Sequence, residues 1–121
     1  MPDLYRHESA AKDATTTWYV GFADKKSALG IDRGVSLMNF KDGTSGTLLL
    51  VETDSGIPWT KPADLPFTDK AITAAIKKSP AEKAGIRIAR ADGSVEFLTE
   101  RKAKQNLRKM ITRSGGERIK D

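Results

Sequence analysis

The chain contains no cysteine, an absence that removes disulfides, thiolate metal sites and cysteine nucleophiles together. It has a single histidine, His7, so a Ser-His-Asp arrangement has one candidate base, and that base lies in the polar opening segment where little order is expected. Long hydrophobic runs are missing too. The longest is Leu48 to Val51, far short of the roughly 18 apolar residues that a membrane span requires. The opening Met1-Pro2-Asp3 has neither the basic region nor the apolar region of a signal peptide. As written, the sequence reads as a soluble fragment.

What is present fits one domain. The chain has 121 residues, long enough for one modest core. Its net charge of +5 is unevenly placed: residues 1–60 carry −2 and residues 61–121 carry +7. A basic half can be a footprint for nucleic acid or another anionic surface, but it lacks the interleaved aromatics of a strand-binding groove. A solvated helix face accounts for it more simply, and nucleic acid is not the expected partner.

Residues 1–15 are expected to be a flexible entry, 16–116 a single globular domain and 117–121 a frayed tail. Thr16 to Phe22 is rich in β-branched and aromatic residues, with Trp18, Val20 and Phe22 alternating onto one face, the pattern of a strand. Ala23 to Arg33 reads as a loop. Leu48 to Glu52, an apolar run bounded by turn residues, is expected to be the central strand, closed by Asp54-Ser55-Gly56. The three prolines between Ile57 and Phe67 should keep that stretch on the surface and out of a ladder. Thr68 is positioned to cap a helix from Asp69 to Lys78, ended by Ser79-Pro80.

Asp92-Gly93 suggests a two-residue type I′ hairpin placing Ile88 opposite Phe97 and Arg87 opposite Leu98, with Ile86, Ile88, Val95 and Phe97 facing inward. Ala103, Leu107, Met110 and Ile111 fall at i, i+4, i+7 and i+8, predicting a helix over about 101–113 that stops at Ser114-Gly115-Gly116. The expected class is α+β: a small antiparallel sheet with a C-terminal helix packed on it and one further short helix.

The residues offer little chemistry. Asp42 and Asp54 are available carboxylates, but nothing in their spacing brings them together. The loop Asp42 to Thr47 lacks phosphate-loop spacing and precedes a strand, so it reads as a turn. As a calcium site that loop supplies one carboxylate, and Asp24, Asp32 or Asp54 would have to complete the set. No cofactor, metal or catalytic residue is expected. Trp59 in its proline frame, with Lys61 and Asp64, and the loop Ala23 to Arg33 are candidate partner contacts. Arg87, Arg90, Arg101, Lys102, Arg108 and Lys109 are candidate anion-binding residues.

Several segments together resemble a known family. Asp42-Gly43-Thr44-Ser45-Gly46-Thr47 followed by Leu48 to Glu52 is similar to a turn written DGTSNT leading into LLVVE. Pro58 to Phe67 is similar to PWTKPEDLPF with Ala63 as the one change, Ala91 to Phe97 to ADGSVRF with Glu96 as the change, and Leu107 to Glu117 to LRALLTRxGGE. These resemble the planctomycete-type prepilin-like proteins that carry a domain of unknown function and a terminal motif written His-x9-Asp-Gly. Where the motif histidine would stand the chain has Glu82, in Glu82-Lys83-Ala84-Gly85 instead of HPGG, so no role of that histidine carries over. The prepilin leader helix has no counterpart here, and the chain resembles an excised soluble head. The resemblance implies a non-catalytic, pseudopilin-like structural or secretion subunit of the cell envelope. Its implied partners are other pilin-like or envelope proteins, with membrane contact only through an N-terminal helix outside this chain, and the isolated domain is expected to be monomeric.

Overall fold

The computed structural model describes residues 1–7, 10–12, 14–77 and 85–116, and all of their side chains except those of Asp54, Ser55 and Lys77. The expected stop at Ser79-Pro80, the Glu82 position and the tail from Glu117 lie outside the described residues. The fold is α+β. Strands β1 (Thr16–Val20), β3 (Leu48–Pro58), β5 (Gly85–Arg90) and β6 (Val95–Thr99) form an antiparallel sheet in the order β1-β3-β5-β6. A short parallel pair joins β2 (Phe22–Ala23) to β4 (Leu65–Pro66). Helices α1 (Asp69–Lys77) and α2 (Glu100–Ile111) cover one face of the sheet. Among the described residues no helix is long and apolar enough to cross a membrane.

Both helices form where their apolar spacing and caps dictate. Thr68 Oγ1 accepts from the Ala71 N–H at 3.2 Å, and Ile72, Ala75 and Ile76 are buried, the face that i, i+3 and i+4 spacing predicts. Thr99 caps α2, and Ala103, Leu107, Met110 and Ile111 enter the core with Val51, Ile86, Ile88 and Leu98. The helix ends before the glycines. Thr112 leaves helical geometry to bridge Ser27, and the Arg113 N–H donates to Lys26 O at 2.9 Å, so a tertiary pairing captures the chain first.

The hairpin between β5 and β6 corrects the sequence expectation. Of Asp92 and Gly93 only Gly93 has a positive φ, +86°, whereas a type I′ turn needs two such residues. The Gly93 N–H donates to Arg90 O at 2.9 Å and the Arg90 N–H to Ser94 O at 2.8 Å. That makes a three-residue loop, a type I turn followed by a left-handed glycine. The register therefore moves by one: Ile86 opposes Leu98, Arg87 opposes Phe97 and Ile88 opposes Glu96. Because strand side chains alternate, this slip sends Val95 and Phe97 to the face away from the helices and brings Leu98 into the core. Gly93→Ala is expected to cost about 1 kcal/mol through its positive φ alone, read as a shift of the urea midpoint with unchanged slope.

Three further expectations are corrected. Asp54-Ser55-Gly56 does not end the central strand; β3 runs on to Pro58, with Ile57 and Pro58 paired to Thr17 and Thr16. An irregularity opposite Trp18 takes up the extra residues, and Gly56 permits it because a Cβ there would come within 3.2 Å of Trp18 Nε1. Pro58 and Pro66 both join pairings, each as the final residue of its strand, where a missing N–H is least needed. Val20 and Phe22 enter the core, but Trp18 does not join them.

Candidate functional site

The sheet face away from the helices carries Glu52 on β3, Arg87 and Ala89 on β5, and Val95 and Phe97 on β6, because Val51, Ile86, Ile88 and Leu98 occupy the other side. Glu52 stands at the centre of this face, beside Tyr19 of β1, and is 0% exposed. A carboxylate so placed needs a partner. It is met by His7, 4% exposed, whose Nε2 approaches Glu52 Oε1 to 2.5 Å. Arg87 Nη1 lies 3.8 Å from the same oxygen.

The N-terminal segment delivers this histidine across the sheet. The His7 ring packs on Trp18 with centroids 4.4 Å apart. Tyr5 stacks on Trp59 at 6.1 Å, Thr17 Oγ1 donates to Tyr5 O at 3.3 Å, and the Trp59 N–H donates to Thr15 O at 3.0 Å. Two aromatic contacts thus bracket the buried pair and hold the segment against β1 and β3. A buried carboxylate beside a histidine and an arginine, under aromatic cover, ties a distant segment to the sheet.

The six candidate anion-binding residues do not share one surface. Arg87 lies on the Glu52 side of the sheet, while Arg90 turns to the other side and meets Glu96 and the Ser45 carbonyl, the latter at 2.9 Å. Arg108 pairs with Asp69 of α1 and lies 5.1 Å over the Phe67 ring. Arg101, Lys102 and Lys109 sit on α2, the first two exposed and Lys109 half-buried. The candidate contacts Trp59, Lys61 and Asp64 are all exposed on the crossover after β3, with Trp59 at 40%. The loop after β2 exposes Leu29 and Ile31 and borders a depression of about 340 Å³ lined by Lys25, Arg33 and Arg113 among others.

Asp42 has a structural duty. Its carboxylate accepts the backbone N–H groups of Gly115 and Gly116 at 2.7 and 2.9 Å, fastening the residues after α2. Among the described residues no group of three potential metal ligands comes together. Asp92 accepts from both the hydroxyl and the N–H of Ser94, at 2.6 and 2.9 Å, and these bonds hold its carboxyl below the ordinary 3.8. A lowered folded-state value stabilises above the unfolded value and fades as pH falls through the folded one. Acidification below about 3.8 should therefore loosen the hairpin turn, seen as lower protection of the Gly93 and Ser94 amides relative to their intrinsic exchange rate at each pH, and Asp92→Asn should remove that pH dependence.

Sequence reasoning missed Glu52, which it took only as the end of an apolar run. The available signal was an acid closing a continuous Leu48–Val51 stretch of a strand covered on both faces, a position where a charge needs a partner. No family model, curated protein or solved structure matches the chain.

Proposed function

We propose that this chain is a non-catalytic contact domain, the head of a pseudopilin-like envelope protein that works by assembly with other proteins. The observation that carries the reading is the apolar surface left facing solvent. Val95 is 74% exposed and Phe97 40% on the free sheet face, and the Tyr5–Trp59 stack lies near Leu4, itself 84% exposed. Exposed apolar and aromatic groups of this kind are the usual anchors of protein–protein contacts. An antiparallel sheet closed by a C-terminal helix agrees with the head that the resemblance implies, and the specific run Pro58 to Phe67 forms the exposed crossover that carries Trp59.

Photo-crosslinking from Trp59 in source cells tests the reading. A benzophenone amino acid at Trp59 should give adducts with envelope proteins, while the same group at Thr73, exposed on α1, should give few. Equal labelling from both positions, or adducts with soluble cytosolic proteins alone, would overturn it.

A further inference from the structure

No described strand lies beyond β6, so its outer side is a sheet edge. The opposite edge, β1, is flanked by the N-terminal segment through the Thr17–Tyr5 bond. Natural edges are usually blunted with lysine, proline or a bulge. The residues of β6, Val95-Glu96-Phe97-Leu98-Thr99, include neither lysine nor proline, and their pairing with β5 runs without a shift.

The hairpin closure fixes which backbone groups point outward. The Arg90 N–H bonds Ser94 O, which makes 90 with 94, 88 with 96 and 86 with 98 the hydrogen-bonded pairs of the antiparallel ladder. The N–H and C=O groups of Val95 and Phe97 therefore face away from β5, and the same two residues hold exposed apolar side chains on the free face. An added strand would find backbone partners and an apolar surface at the same two positions.

Charge selects the kind of strand. Helix α2 lies over β3, β5 and β6, and α1 lies over β3 and β5. Arg108 reaches toward α1 through Asp69, so at about 100° per residue the exposed Lys102 occupies the flank of α2 turned toward the β6 edge. The one acid of β6, Glu96, is already paired with Arg90. A residue of the incoming strand on the helix side thus meets the Lys102 ammonium, and one on the free side meets Val95 and Phe97. A second copy of this chain would set its own Lys102 flank against this one and repel it.

We infer that the β6 edge accepts an extended segment of another protein whose residues alternate apolar and acidic, added as a fifth strand. The inference rests on the contact-domain reading and names the partner's chemistry. Its test uses the purified 121-residue chain and two synthetic peptides, one alternating valine and glutamate and one alternating valine and lysine, followed by amide exchange at about 20 mM salt, where charge is little screened. The acidic peptide should slow exchange at Val95 and Phe97 roughly tenfold, and the basic peptide should not.

Val95→Pro leaves the β5 ladder intact, because the N–H it removes points outward, and Lys102→Glu reverses one exposed charge. Each should weaken binding of the acidic peptide about tenfold. Equal binding of both peptides, no protection at β6, or binding indifferent to both variants would overturn the assignment. So would self-association of the free chain that protects the same amides and is lost in Val95→Pro, since the edge would then belong to a second copy. Failure here leaves crosslinking from Trp59 untouched, so the two readings fail separately.

Discussion

His7→Ala is expected to lower the free energy of unfolding by roughly 3 kcal/mol, a large part of the 5–15 kcal/mol typical of a domain. The cost arises from what remains. Glu52 stays at the centre of the sheet face, where it is wholly buried in the intact protein, with Arg87 still 3.8 Å away but the imidazole and its cover on Trp18 gone. Removing one member of a buried polar pair leaves the other desolvated and underpaired, whatever the intact pair contributed in net stability. Glu52→Gln in the same chain should recover part of the loss, since a neutral amide is cheaper to bury than a carboxylate. The coupling between the two substitutions should be roughly 1–3 kcal/mol in a double-mutant cycle. Additivity within about 0.5 kcal/mol would mean that His7 and Glu52 do not depend on each other. In a Trp59→Phe background the remaining Trp18 reports directly: His7→Ala should shift its emission to the red as the N-terminal cover lifts.

Leu107→Ala should be comparably damaging for a different reason. Leu107 is fully buried where α2 meets the sheet, among Ile86, Ile88, Leu98 and Met110. Truncation there loses transfer free energy and leaves a cavity that strands on one side and helices on the other can only partly close, a cost of roughly 2–5 kcal/mol. For a domain of this size that corresponds to a fall in Tm of roughly 10 °C or more. Leu107→Met, which conserves volume, should cost under about 1.5 kcal/mol. A similar loss for both would mean that shape, not volume, governs the site.

The parts of the fold legible in the sequence are those where local pattern and tertiary demand agree. The stripe Ala103, Leu107, Met110 and Ile111 is buried as its helical spacing requires, and Thr68 caps α1. The hairpin shows how a small local error propagates. Asp92-Gly93 marks a turn correctly, but the choice between two and three loop residues depends on whether Asp92 takes a positive φ, and it does not. One residue of loop length then exchanges Leu98 for Val95 and Phe97 in the core.

The continuation of β3 through Asp54-Ser55-Gly56 was hidden because turn residues can also build an irregularity where an indole needs room, as Trp18 does over Gly56. The His7–Glu52 pair was least legible of all. Its members stand far apart in the chain, the acid closing the Leu48–Val51 run says that a partner is needed but not which residue supplies it, and only the docking of the N-terminal segment brings the two to 2.5 Å. The exposed apolar groups were legible in part: the three prolines around Trp59 marked a surface stretch, whereas the exposure of Val95 and Phe97 followed from the register.

Whether this domain belongs to an envelope protein working through assembly is decided by peptide mass spectrometry of the native protein on separated membrane and soluble fractions of its source cells. Recovery in the membrane fraction, with peptides extending upstream of Met1 into an apolar, leader-processed helix, is the expected result. A native protein that begins at Met1 and is recovered only in the soluble fraction would be incompatible with assembly through a pilin-type helix.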